Sequence, residues 1–141
     1  MSKIDYPEYY KAGGIEAIDV IDVIEDWKLD FCLGNAIKYI ARAGKKSDDV
    51  KTDLEKAAWY IKHHAEGVKA GTIPPIPPQE NTKYHAEDVC EAWGVCEDNL
   101  FLAVANLYDG VVVPGESPLM SQEEYLKVAY YDLIRHIKFY V

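Results

Sequence analysis

Apolar positions recur every three to four residues in six stretches, at about Glu16 to Trp27, Leu33 to Ala43, Asp49 to Glu66, Ala86 to Trp93, Asn99 to Tyr108 and Gln122 to Tyr140. That spacing matches the turn of an α-helix and predicts six amphipathic helices. Val111 to Val113 is the one short β-branched run, and Pro114 closes it, so strands have little support. End signals agree. Gly44 suits a C′ position, Ser47, Asp48 and Asp49 offer an N-cap with favourable acids, and Ser121 with Glu124 spells a capping box.

Between the third and fourth helices, GVKAGTIPPIPPQENT carries prolines at 74, 75, 77 and 78, which forbid a helix and favour a stiff extended path. The halves it joins resemble one another. A shift of 66 lays Asp22, Val23, Glu25, Trp27 and Gly44 over Asp88, Val89, Glu91, Trp93 and Gly110. A shift of 79 lays Asp53, Leu54, Lys56 and Tyr60 over Asp132, Leu133, Arg135 and Phe139. The expected fold is all-α, with two divergent copies of a three-helix hairpin unit packed as one pseudo-symmetric domain. Its parts are a first unit over 1–70, a Pro-rich linker over 71–82 and a degenerate second copy over 83–141.

Composition narrows the function. The 141 residues are 49% hydrophobic and 28% charged, enough apolar content for a core, and no apolar run approaches the roughly 20 residues of a membrane span. The opening MSKIDYPEYYKAGG has no apolar signal core, and Cys32, Cys90 and Cys96 form no paired framework, which points to the cytoplasm. A formal charge of −9 disfavours nucleic acid as a partner unless a local patch reverses the sign. An anionic small ligand would need one positive pocket.

The second helix supplies one. At 100° per residue Asn35, Lys38 and Arg42 share a narrow arc, and Lys45 and Lys46 follow them. Such cations bind phosphate through a guanidinium fork and a mobile ammonium, or simply complement the helix dipole. The 66-residue shift turns the arc into Phe101, Val104 and Tyr108, so one half keeps the frame and loses the polar face. Helix solubility alone does not explain that contrast.

In the first helix Glu16, Asp19, Asp22 and Asp26 form an acidic ridge, and two carboxylates one turn apart can share Mg²⁺ with a phosphate. The shift replaces Glu16 and Asp19 by Thr82 and His85 but keeps Asp22 as Asp88, marking Glu16 and Asp19 as metal candidates and Asp22 as structural. Asp53 and Lys56, retained as an acid and a base, read as an interhelical ion pair or as supports for Arg42. Trp27 and Trp93 read as core anchors. Trp59 and the eleven tyrosines could stack on a base or fill interfaces. AGKKS fails as a P-loop because Tyr39 stands where its first glycine belongs. His63 and His64 point about 100° apart and are expected at the surface.

The run from Pro7 to His64, with IDVI, LGN-x-IKYI-x-RAGKK and DL-x-KA-x-WY, resembles the SaV-like family of bacteriophage proteins. The resemblance implies a phage protein in the cytoplasm of an infected host. It also implies phosphorylation of nucleoside monophosphates without a Walker motif, using ATP and Mg²⁺, or an encounter with a host defence protein. It touches Glu16, Asp19, Asn35, Lys38, Arg42, Lys45, Asp53 and Lys56, and makes a homo-oligomer an expectation. Tyr9 and Tyr10 stand where a histidine and a tyrosine are usual.

Overall fold

The computed structural model describes residues 18–43, 45, 49–79, 81–95, 98–112 and 120–141. These hold six helices, α1 (Val20–Asp26), α2 (Phe31–Arg42), α3 (Val50–Ala70), α4 (Ala86–Trp93), α5 (Asp98–Val112) and α6 (Gln122–Tyr140). No strand occurs among the described residues. Helix α3 packs against α2 on one side and α6 on the other, and α6 packs in turn on α5. No helix among the described residues is long and apolar enough to cross a membrane.

The ends follow local chemistry. Asp30 caps α2 by accepting the Leu33 amide at 3.0 Å, and Asp49 caps α3 by accepting the Thr52 amide at 3.0 Å. Ser121 and Glu124 form the expected capping box on α6. Of the expected α3 caps, Ser47 and Asp48 lie outside the described residues, as does Gly44. Helix α3 runs past Glu66 to Ala70, and Gly71 ends it with φ of 81°. A β-carbon on Gly67 would run into the Ile73 side chain, so the glycine lets the chain fold back there. Val111 lies inside α5, fully buried, where packing outweighs its β-branched preference.

The two tryptophans are core anchors, and they bind reciprocally. The indole N–H of Trp27 donates to the Tyr84 carbonyl at 2.9 Å, and that of Trp93 donates to the Ile18 carbonyl at 2.7 Å. Ile18 and Tyr84 are themselves 66 positions apart, as are the two tryptophans. The turns that follow also correspond. Leu29 N–H donates to Ile24 O at 3.0 Å and Val95 N–H donates to Cys90 O at 2.9 Å. Between them sit Lys28 with φ of 54° and Gly94 with φ of 70°.

The linker is extended and fastened to the second half. Ile76 is the one residue of its Pro-Pro-Ile-Pro-Pro run with a backbone N–H. That N–H donates to Gln122 Oε1 at 3.0 Å, while Gln122 Nε2 donates to Ile76 O at 2.9 Å and Gly110 O at 3.1 Å. A buried side-chain amide thus replaces the ladder partner that proline-rich backbone cannot find for itself. Asp26 holds the far end by accepting the Lys83 and Tyr84 amides at 3.0 and 2.9 Å.

Candidate functional site

On α2, Phe31, Asn35, Lys38 and Arg42 share one side because they recur at three- and four-residue spacing. Helix α3 brings Lys56, Trp59, Tyr60 and His63 up beside them. The centre is Tyr39, which entered the sequence reading only to exclude a P-loop. Its ring lies 4.5 Å from the Arg42 guanidinium carbon, 4.7 Å from Lys38 Nζ and 5.4 Å from Lys56 Nζ. An aromatic face attracts each cation by roughly 0.5–1 kcal/mol at an exposed site, which offsets their mutual repulsion.

Asp53 pairs with Arg42 across the helices, with Nε and Oδ1 3.6 Å apart and both side chains mostly buried. Of the two expectations, an ion pair involving Asp53 and Lys56 or support of Arg42, Asp53 meets the second, and a pairing with Lys56 is corrected. Both lie on α3, where Asp53 turns inward to α2 and Lys56 stays exposed against Tyr39. Because Asp53 offsets Arg42, the surplus positive charge rests on Lys38 and Lys56. Asn35 donates its amide N–H to the Phe31 carbonyl at 2.8 Å, which leaves its Oδ1 as an acceptor on the same face.

Other candidates stand elsewhere. Lys45 donates from Nζ to the Trp93 carbonyl at 2.8 Å, so it closes the C-terminus of α4, and burial pulls its pKa down. Asp19 caps α1 through its backbone carbonyl, and its carboxylate makes no capping bond. Glu16 lies outside the described residues. Among those residues no group of three or more His, Cys, Asp or Glu side chains is placed to hold a metal ion. In the second half Phe101 is half-buried and Val104 and Tyr108 are buried. The Tyr108 hydroxyl is hydrogen-bonded to Thr82 Oγ1 at 3.0 Å and to His85 Nδ1 at 2.9 Å.

His64 corrects another expectation. It is fully buried, with Nδ1 2.9 Å from Asp30 Oδ2, because it continues the Ala57, Ile61 and Ala65 stripe that faces the core. Spacing from Ile61 was the signal available in the sequence. Burial pushes the Asp30 carboxyl up, but the contact with His64 and the Leu33 amide outweigh it and hold the group below its ordinary 3.8. A depressed carboxylate contributes stability that is present above its unfolded pKa and lost as pH falls through the folded value. We expect Asp30→Asn to flatten that acid limb below about pH 4. Urea midpoints measured across pH check this, and an acid limb unchanged in the variant would refute it.

Residues 4–62 match a family model described as a protein of unknown function, DUF3310. Over 65 residues the chain is 42% identical to the Gene 1.7 protein of Enterobacteria phage T3, a match covering 42% of this chain and 39% of that protein. The front of the chain is thus similar to a bacteriophage protein, over well under half of that relative's length. No solved structure matches the chain. The segment matched by the family model contains Lys38, Tyr39, Arg42, Asp53 and Lys56 and stops before the linker.

Proposed function

We propose that the chain is a phage protein of SaV-like type that holds a nucleotide or a related phosphorylated metabolite on the α2–α3 face. The observation that carries this is the convergence of Lys38, Arg42 and Lys56 on one tyrosine ring in a protein of charge −9. Lys38 and Lys56 take the phosphate, Asp53 holds Arg42 in place, and the Asn35 carbonyl reads a polar edge. Lys45 supports the site from behind by tying the end of α2 to α4. The second half is a divergent copy of the first. The reciprocal tryptophan bonds and the repeated turn geometry support that reading, and Val104 and Tyr108 occupy the positions of Lys38 and Arg42 as buried residues.

The activity proposed is phosphoryl transfer from ATP to a nucleoside monophosphate without a Walker motif. In such a reaction the protein mainly positions the groups and offsets charge, which suits lysines on a firm helical frame. Magnesium would neutralise phosphate oxygens; Asp19, with a carboxylate free of capping duty, is the described acid assigned to it, alongside Glu16.

Incubation with ATP, Mg²⁺ and each nucleoside monophosphate should yield diphosphates. Unchanged nucleotide with a saturable thermal shift would instead mark a protein that sequesters nucleotides. Lys38→Ala and Lys56→Ala should each weaken binding about tenfold, roughly 1.4 kcal/mol for one lost charge-assisted contact. Both variants binding as well as the parent would overturn the site. If no nucleotide binds, the second half becomes the functional surface, and α6 exposes Tyr131, Phe139 and Tyr140 there for a host protein.

A further inference from the structure

The rings beside the cation cluster extend beyond it. Tyr39 stacks on Tyr60 at 6.2 Å and 11°, and two solvent-facing rings flank Tyr60, Phe31 at 6.0 Å and Trp59 at 5.2 Å. Trp59 in turn lies parallel to His63 at 4.9 Å and 7°. Phe31 is 74% exposed and Trp59 58% exposed. Large aromatic residues left in water beside a positive patch are what a stack of unpaired bases requires.

We propose that this ledge holds a short single strand of nucleic acid, with bases on Trp59 and Phe31 and backbone phosphates on Lys38 and Lys56. The proposal rests on the reading that this cluster takes phosphate, and extends it from one nucleotide to several. A mononucleotide needs one ring, whereas two exposed rings, each in edge contact with Tyr60, serve successive bases. The cations gather on Tyr39, which stacks on Tyr60, the ring that both exposed aromatics touch, so the phosphate-binding charge and the stacking surface belong to one continuous patch. The protein's overall −9 does not forbid this, because at 0.1 M salt its field fades beyond about 10 Å while the local cluster is in contact. Duplex DNA is a poor occupant. Its bases are already stacked on one another and are not free to lie on exposed rings.

Fluorescence tests the ledge directly, because Trp27 and Trp93 are buried and Trp59 is exposed. Oligothymidylates of four to eight nucleotides should quench Trp59 and bind at least tenfold tighter than thymidine monophosphate or a duplex of equal length. Phe31→Ala should weaken the oligonucleotide about tenfold, as expected for one lost base stack, and Trp59→Ala should do the same by anisotropy of a labelled strand. Lys38→Ala should reduce the salt slope by about one. Both ring variants are at the surface, and unchanged circular dichroism confirms that they fold. An oligonucleotide that binds no tighter than the monophosphate overturns the strand proposal and leaves the phosphate site standing. Absence of binding by either overturns both, and strand binding indifferent to Phe31 and Trp59 places the strand elsewhere and overturns the ledge.

Discussion

Trp27→Ala is expected to lower the unfolding free energy by about 3–5 kcal/mol, the range for removing a large aromatic side chain from a packed core. Trp27 is fully buried, its ring lies 4.8 Å from that of Tyr108, and its N–H satisfies a carbonyl across the molecule. Trp27→Phe isolates the polar part, because it keeps much of the ring and leaves the Tyr84 carbonyl without its donor, at a cost of about 1–3 kcal/mol. Trp93→Phe should cost a similar amount through Ile18. Urea denaturation followed by circular dichroism measures all of these, and a Trp27→Ala variant within 1 kcal/mol of the parent would mean that the halves do not depend on this exchange.

Gln122→Leu should cost about 2–4 kcal/mol. The substitution strips hydrogen bonds from the Ile76 amide and from the carbonyls of Ile76 and Gly110, and Ile76 is itself buried, although the prolines on either side are exposed. The loss should be local first. Limited proteolysis should cut the variant within residues 71–82 before its helices unfold, and a linker as resistant as in the parent would show that the prolines alone hold it.

Periodicity alone was enough to place the helices, and nine of their twelve ends lie within two residues of expectation, with capping side chains marking the starts of α2, α3 and α6. Helix α5 extends beyond the expected Tyr108 to Val112, since Val111 looks like a strand residue until the core that buries it is in place. At the candidate site, the arc of Asn35, Lys38 and Arg42 was legible because it needs only the pitch of one helix. The hub was not. Tyr39 gathers cations from two helices, and the register of α2 on α3 that brings Lys56 to it is a tertiary fact. Lys45 was misleading for a related reason: a lysine beyond a helix end resembles a ligand residue until a distant carbonyl, here that of Trp93, is found to receive it. Asp53 had two possible partners in sequence, and inter-helix packing selected Arg42.

The paired donations of Trp27 to the Tyr84 carbonyl and of Trp93 to the Ile18 carbonyl have a consequence for assembly. Each half presents one indole and accepts one, so the same pair of bonds could form between front and rear halves of different chains without loss. What keeps the exchange within one molecule is tethering, which sets a high local concentration of the chain's own partner. The Gln122 clasp on Ile76 fixes the route of that tether. Loosening it would remove the bias and open the way to intertwined dimers in which two polypeptides trade halves.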